Sequence, residues 1–252
     1  MDSEQLIQLL VDCYLRENCD GLFLPLIDNH GIQLPIRRIV EAIESKAKLR
    51  FVLIDAAQAI GQIPLDLSRN YCDLMIGGCH KWLRAYSPMG LAFFGKRRSK
   101  GYITDSLNRW LKSGELEDPL LGFVDEIEFG KSKAYGETVQ IAPLFNANAA
   151  AADAIENPLF HSLKSRCGID QAASRHGWLR VSPRPDMTSQ ILLFESEDDR
   201  TRKMQAEQVQ HQFLQNGVAV SAYGNGLVRI STPPVAMTEQ DSQRLSQAFA
   251  RR

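Results

Sequence analysis

Two short hydrophobic runs, each followed by a reactive side chain, constrain the fold of this sequence most strongly. Phe51–Ile54 leads into Asp55, and Leu74–Ile76 leads through two glycines to His80 and Lys81. Each run has the length of a strand that is buried on both faces. In open α/β sheets, ligands bind at the carboxyl ends of such strands. We therefore expect Asp55 and Lys81 to face one ligand.

The bulk composition is that of a globular protein that does not recruit polyanions. The chain has 252 residues, 44% of them hydrophobic, and a net charge of −1, so no overall field attracts nucleic acid or anionic lipid. No run reaches the roughly 20 apolar residues of a membrane span, and no basic segment begins a signal peptide. The five cysteines are odd in number and form no CxxC pair, so we expect a reducing cytoplasm and no metal site.

The first part of the chain alternates between helical and extended patterns. We expect helices over residues 6–14 and after Pro35, and strands over 22–27 and 90–94. Alternation of this kind is typical of a parallel sheet covered by helices. The basic cluster at 96–100 is interpreted as a solvated loop rather than as a phosphate contact.

The last third of the chain changes character. An alanine-rich run at 147–154 favours helix. It is followed by signals for a strand at 190–195, a helix at 202–215, paired strands at 218–222 and 227–231, and a last helix that Thr238 and Asp241 cap. We predict a large α/β domain over 1–155 and a small α+β domain over 156–252.

An acid and a lysine at neighbouring strand ends permit two interpretations. They could form a structural ion pair. Alternatively, the lysine could hold a carbonyl cofactor as a Schiff base while the acid binds a ring nitrogen, which is the arrangement that pyridoxal phosphate (PLP) needs. Lysine suits this role because its amine loses its proton readily when desolvated.

The residues around Asp55 and Lys81 decide between these interpretations. The patterns D-A-A-Q-A-x-G-x-x-P-x-D and C-D-L-M-I-G-G-C-H-K-W-L resemble the class V aminotransferase family of fold type I PLP enzymes, which includes cysteine desulfurases and isopenicillin N epimerase-like proteins. The resemblance implies a PLP-dependent transferase-like α/β large domain with a mostly parallel sheet, and a small C-terminal α+β domain. It also implies PLP as cofactor, an amino-acid substrate and a homodimer.

The same resemblance assigns roles within the cofactor motif. Lys81 corresponds to the lysine that bonds to PLP and moves protons as general acid and base. Asp55 corresponds to the partner of the pyridine nitrogen, and Gln58 to the residue that binds the phenolic oxygen of the ring. His80 corresponds to a phosphate contact, although a histidine packed in the core is the other interpretation.

Three further positions correspond to family residues outside that motif. Asn29 matches a polar residue that reaches the phenolic oxygen, but Asp28 competes for this role and a plain loop residue fits equally well. Arg229 matches the arginine that binds the substrate carboxylate, for which its planar fork is suited. Thr138 matches a threonine that reaches the phosphate of a neighbouring subunit, and a helix N-cap explains it equally well.

The sequence departs from the family at two places. No cysteine lies between Gly217 and Arg229, where desulfurases carry their nucleophile, and we interpret Cys79 as a packing residue. Desulfuration is therefore a weak candidate. Only 54 residues precede Asp55, so the fold is expected to be truncated at its N-terminus, without the phosphate-binding turn and the ring-stacking residue of the family.

Two functional hypotheses follow from these observations. The first is a PLP-dependent enzyme that acts on the Cα bonds of an amino acid by transamination, elimination or epimerisation. The second is a catalytically impaired or non-catalytic form of the same fold that serves as a binding or assembly module. The cofactor motif favours the first hypothesis, and the short N-terminal part favours the second.

Overall fold

The chain is divided into two compact units that interleave along the sequence. The computed structural model describes residues 2–65, 71–115, 140–156, 163–181 and 185–250. The first unit, here the lysine unit, comprises residues 14–25 and 40–157, and the second, the arginine unit, comprises 1–13, 26–39 and 158–252. The predicted domain boundary after residue 155 stays a prediction.

A four-stranded sheet forms the centre of the lysine unit. Its strands are β1 (Gly21–Pro25), β2 (Phe51–Asp55), β3 (Leu74–Gly78) and β4 (Gly90–Phe94), in the order β1-β2-β3-β4. β1, β2 and β3 are parallel, and β4 is antiparallel to β3. β4 reverses direction because the short connection over 79–89 leaves no room for the crossover that a parallel neighbour requires. The prediction of a mostly parallel sheet is confirmed.

The two faces of this sheet differ in burial. Val52, Ile54 and Met75 point to one face and are almost fully buried. On the other face, strand register aligns Phe23, Leu53, Leu74 and Phe94 in a row across all four strands. We call these four residues the apolar row. The side chains at its two ends are substantially accessible, since Phe23 is 63% exposed and Phe94 37% exposed.

The helices described before residue 157 are α1 (Ser3–Arg16), α2 (Ile36–Glu44), α3 (Arg97–Ser113) and α4 (Ala142–Glu156). α1 and α2 follow the predicted apolar spacing, and each contributes residues to both units. The predicted loop over 96–100 is wrong, because α3 begins at Arg97. Within the described ranges, no helix has the length and apolar character that crossing a membrane requires.

A buried carboxylate explains why the basic cluster starts a helix. Asp73 is 2% exposed and accepts hydrogen bonds from the Val52 amide (2.8 Å) and the Ser99 hydroxyl (2.6 Å). The Lys96 ammonium lies 3.6 Å from the same carboxylate. Two residues of the cluster thus have a partner inside the protein, and Asp73 ties the start of β2 to the first turn of α3.

The arginine unit contains a four-stranded antiparallel sheet covered by helices. Its strands are β5 (Trp178–Arg180), β6 (Ile191–Ser196), β7 (Ser221–Tyr223) and β8 (Leu227–Ser231), in the order β5-β6-β8-β7. The helices are α5 (Leu163–Arg175), α6 (Asp199–Lys203), α7 (Ala206–Gln215) and α8 (Glu239–Phe249), with a 3₁₀ turn at Pro185–Met187. The predicted α+β character of this part is confirmed.

An aromatic cluster fills the core of the arginine unit. Trp178, Phe194, Phe213 and Phe249 meet edge-to-face with ring centroids 5.1 to 5.7 Å apart. Such pairs stabilise beyond the area they bury. The Trp178 indole also donates a hydrogen bond to the Phe249 carbonyl (3.1 Å), so its one polar atom is satisfied inside the core.

Helix boundaries in this unit are set by capping. The single helix predicted over 202–215 is two helices, α6 and α7, because Asp198 caps the first and Gln205 caps the second. The predicted capping box at the start of α8 is confirmed: the Asp241 amide donates to the Thr238 hydroxyl, and the Thr238 amide donates to the Asp241 carboxylate. The Thr238 hydroxyl and, secondly, the Thr238 amide donate to the Asp241 carboxylate and lower its pKa.

We expect Asp73→Ala to destabilise the protein by about 3 kcal/mol, because it removes a buried acceptor and leaves the Val52 amide, the Ser99 hydroxyl and Lys96 without it. Urea unfolding followed by circular dichroism measures this change. Ser99→Ala is the matched control, since it removes one hydrogen bond and should cost about 1 kcal/mol. Equal costs for the two variants would contradict the central role of Asp73.

Candidate active site at the carboxyl edge of the lysine unit

Asp55 lies at the end of β2, in register with its neighbouring strands. It pairs with Pro25 of β1 and Ile76 of β3, at the edge where all three parallel strands end. The carboxylate is partly buried, and its Oδ1 accepts a hydrogen bond from the Ala57 amide (2.8 Å). This bond holds the side chain at the point where the chain turns away from the sheet.

The two glycines before the lysine permit close approach on both sides of β3. A Cβ at Gly77 would lie 2.5 Å from the Ile60 side chain, and a Cβ at Gly78 would lie 2.8 Å from the His80 ring. Contacts this short are not sustained by real side chains. The glycine pair therefore permits Ile60, in the loop after β2, to contact one side of β3 and the exposed His80 to fold back against the strand end.

Lys81 belongs to a loop over residues 79–89, here the lysine loop, that Cys79 holds closed. Cys79 is fully buried, and its sulfur accepts from the Met89 amide (3.1 Å) and donates to the Ser87 carbonyl (3.5 Å). Backbone bonds join Cys79 to Met89 and to Ala85. The prediction that Cys79 packs in the structure is confirmed, and both ends of the loop are fastened to it.

The alanine-rich helix α4 supports the lysine loop from outside. Ala147 is buried together with Cys79 and Ala85, and Ala150 packs against the same cluster. Alanine side chains allow a helix backbone to lie close to a loop. The predicted helix over the alanine run is confirmed and begins at Ala142, so it gives the loop a rigid support.

A pocket of about 740 Å³ opens at this edge of the sheet and contains three of the predicted site residues. Its lining is Asp55, Ala57, Ile76, Gly77, Gly78, His80, Lys81, Pro88, Met89, Gly90, Leu91 and Ala92. Lys81 is exposed and Asp55 partly buried. In the part of the chain that is described, no ion pair joins them, so the carboxylate and the ammonium do not neutralise each other.

Gln58 lies next to this pocket but is not among its lining residues. Its side-chain oxygen accepts a hydrogen bond from the Trp82 indole (2.9 Å), and its backbone carbonyl accepts from the Gln62 amide group (2.7 Å). The sequence interpretation gave no role to Trp82. The one signal that could have pointed to Trp82 was its position directly after Lys81. Its contact with Gln58 spans 24 residues and leaves no local pattern in the sequence.

Arg229 lies on β8 and points away from the aromatic core. Its neighbours Val228 and Ile230 belong to that core, whereas Arg229 pairs in register with Leu193 and Ser221 on the opposite face. Its Nε is buried and has no hydrogen-bond partner among the described residues. A buried donor without an acceptor is costly and rare, so this guanidinium fits the binding of an anion.

The loop over 28–31 belongs to the same unit as Arg229. The Asp28 carboxylate accepts from the His30 amide (2.9 Å) and the Ile32 amide (2.8 Å), which leaves Asp28 with a turn-forming role. Asn29 is exposed beside it. The His30 ring meets Tyr223 edge-on at 5.4 Å, which places the loop against β7.

The predicted site residues thus fall into two groups. Those that line one pocket in the lysine unit are Asp55, His80 and Lys81, with Gln58 beside them. Asn29 and Arg229 belong to the arginine unit. Thr138 lies outside the described residues. Across the ranges that the structure describes, no group of three or more His, Cys, Asp or Glu side chains could hold a metal ion.

A family model shows which family this chain belongs to. The family model described as "Aminotransferase class-V" matches residues 5–151, which is more than half of the chain. The chain belongs to the class V aminotransferase family, and its fold is that of fold type I PLP enzymes.

Individual relatives resemble parts of the chain. An isopenicillin N epimerase of Streptomyces clavuligerus is 38% identical over 71 residues, which are 28% of this chain and 17% of that protein. A mitochondrial cysteine desulfurase of Arthroderma benhamiae is 32% identical over 121 residues, 45% of this chain and 23% of that protein. The chain therefore matches less than a quarter of the length of each of these relatives.

A solved structure of a NifS-like protein has the same fold along nearly the whole chain. It superimposes with a TM-score of 0.68 at 16% identity, and it covers 96% of this chain and 63% of its own. At this identity the likeness concerns the fold alone. About a third of that structure has no counterpart in the present sequence.

We expect the cysteines to react with an aromatic disulfide reagent in an order set by burial. Cys19 and Cys167 are exposed and should react first, whereas Cys72 and Cys79 are buried and should react only as the protein unfolds. Burial, and secondarily the charge of Asp73, raise the pKa of Cys72, which further lowers its thiolate fraction near pH 8.

Absorbance at timed intervals, with and without urea, measures the reaction order. Because Cys13 is partly exposed, the triple variant Cys13→Ser, Cys19→Ser, Cys167→Ser should show no reaction without urea. A reaction that persists without urea in this triple variant would place Cys72 or Cys79 at the surface and contradict the closed lysine loop.

Proposed function

We propose that this chain binds PLP in the pocket at the carboxyl edge of the lysine unit and acts on the Cα bonds of an amino acid. The observation that carries the proposal is that Lys81 and the partly buried carboxylate of Asp55 line one pocket without forming an ion pair, in a chain of the class V aminotransferase family. When bound, PLP supplies an electron sink for a carbanion at Cα.

The residues that line the pocket fit this cofactor chemically. Lys81 is exposed to the pocket and, in the described part of the chain, is not engaged in an ion pair, so its amine is available for covalent attachment. Asp55 is held by its own turn and offers a carboxylate to a protonated ring nitrogen. His80, folded onto Gly78, offers a donor to the phosphate. Lys81 would also carry the proton to and from Cα.

Arg229 is proposed to bind the substrate through its α-carboxylate. The buried Nε without a partner supports this assignment, because a bidentate carboxylate would satisfy it together with a second guanidinium nitrogen. Asn29 and Thr138 are proposed as cofactor contacts on the resemblance alone. Transamination, elimination and epimerisation remain the candidate reactions, since all three use the same lysine and carboxylate.

Two further assignments belong to this proposal. A homodimer is proposed because the resemblance implies sites that are completed across a two-fold interface. A reducing, cytoplasm-like compartment is proposed because all five cysteines lie in described residues and none forms a disulfide.

The alternative function is a binding or assembly module that has this fold without turnover. The apolar row favours it, since Phe23 is 63% exposed and Phe94 37% exposed on a sheet face of a kind that is usually covered in parallel sheets. Light scattering of the purified chain, with Phe23→Ser as the comparison, tests this alternative. Turnover of any amino acid by the purified 252-residue chain alone would rule it out.

Addition of PLP to the purified chain should produce a visible absorption band and, after borohydride reduction, a mass adduct on the peptide that contains Lys81. Lys81→Ala should abolish the adduct because, among the described residues that line the pocket, only Lys81 has a primary amine. Lys100→Ala, in α3, is the matched control and should retain it. An adduct of unchanged yield in Lys81→Ala would sink the proposal.

Replacement of Arg229 by methionine should separate substrate binding from stability. In the PLP-loaded chain, we expect Arg229→Met to weaken amino-acid binding at least tenfold, because charged hydrogen bonds of about 1.5–3 kcal/mol are lost. The free energy of unfolding should not fall, since the variant removes an unsatisfied buried donor. Titration of the visible band and urea unfolding measure the two quantities. A large loss of stability with unchanged binding would assign Arg229 a structural role instead.

A further inference from the structure

A side-chain hydrogen bond joins the lysine loop to the loop after β2. The Trp82 indole N–H donates to the Gln58 side-chain oxygen over 2.9 Å, and both side chains are partly buried. Trp82 directly follows Lys81, and Gln58 lies three residues after Asp55. The bond therefore connects the two segments that carry the pocket's amine and its carboxylate.

The loop on the Gln58 side is itself firmly held. The Gln58 carbonyl accepts from the Gln62 side chain (2.7 Å), which closes a turn around this residue. Gly61 has a φ of +82°, and a Cβ there would lie 2.6 Å from the Leu83 amide nitrogen and 2.7 Å from the Trp82 carbonyl carbon. The two loops thus touch backbone to backbone, and only glycine permits both the φ angle and the contact.

Lys81 has little else to fix it in place. Its side chain is exposed, and within the described ranges no hydrogen bond or ion pair holds its ammonium. A lysine side chain of this kind samples many rotamers, so its reach into the pocket depends on where the backbone of the turn is held. Cys79 fastens the base of the lysine loop, and the Gln58–Trp82 bond fastens the residue next to the lysine.

We propose that Gln58 and Trp82 form a positioning pair that holds the lysine loop in place, so that Lys81 can bond covalently to the cofactor. In this pair Gln58 acts through its side-chain oxygen as an acceptor. That role differs from the one that the family resemblance implies, in which the amide group donates to the phenolic oxygen of the ring. The inference rests on the proposed function, because it concerns the lysine that would hold PLP.

The two roles of Gln58 are separated by its replacements. Gln58→Glu keeps an acceptor for the Trp82 indole but has no amide donor, whereas Gln58→Ala lacks both. If Gln58 positions the turn, Gln58→Glu should capture PLP at close to the rate of the unmodified protein, and Gln58→Ala should be about three- to tenfold slower, as the loss of one hydrogen bond predicts. If Gln58 donates to the ring, both replacements should be slow.

Trp82→Phe completes the test through a double-mutant cycle. It removes the indole donor, so alone it should slow capture about as much as Gln58→Ala, and in the double variant the two effects should not add. Trp110→Phe, a partly exposed indole on α3, is the control and should leave the rate unchanged. Additive effects, or a Trp82→Phe rate equal to that of the unmodified protein, would overturn the pairing.

A measurement without cofactor keeps this inference distinct from the proposed function. In the cofactor-free chain, hydrogen exchange of the amides over 79–85 should become at least threefold faster in Gln58→Ala and Trp82→Phe and stay unchanged in Gln58→Glu. If the three variants show this pattern but the unmodified protein takes up no PLP, the positioning pair stands and the proposed function fails. Unchanged exchange in all three variants would overturn the pair itself.

Discussion

The parallel, in-register pairing of β2 with β3 is the constraint on which the candidate site depends. Asp55 lies opposite Ile76, so the carboxylate leaves β2 at the level where β3 runs on through two glycines into the lysine loop. A slip of one residue would turn Asp55 to the opposite face of the sheet. The buried residues Val52 and Ile54 of β2 oppose such a slip, because it would turn both of them away from the buried face.

The sequence C-H-K-W divides this work among neighbouring residues. Cys79 closes the loop with its sulfur, Lys81 presents an amine to the pocket, and Trp82 reaches back to the segment after β2. Of these four residues, His80 and Lys81 line the pocket, whereas Cys79 and Trp82 hold the backbone in place. A reactive amine in this arrangement needs no charged partner to keep its place.

Local sequence patterns were sufficient to predict much of the fold. The predictions failed where tertiary contacts between distant residues decide the structure. The strands at 51–55 and 74–78 and the cap of α8 were predictable because their signals lie within a few residues. The start of α3 was mistaken for a loop because Asp73, the partner of Lys96 and Ser99, is more than twenty positions away. For the same reason, the acceptor role of Gln58 needed the structure, since nothing near Gln58 in the sequence points to Trp82.

The apolar row has a thermodynamic consequence for the lysine unit. A sheet that is covered on both faces gains hydrophobic stabilisation from both, whereas this sheet gains most of it from the face of Val52, Ile54 and Met75. A polypeptide that binds over Phe23 and Phe94 in the folded chain, and does not bind the unfolded chain, would raise the melting temperature by mass action. The stability of the unit is then a function of concentration as well as of sequence.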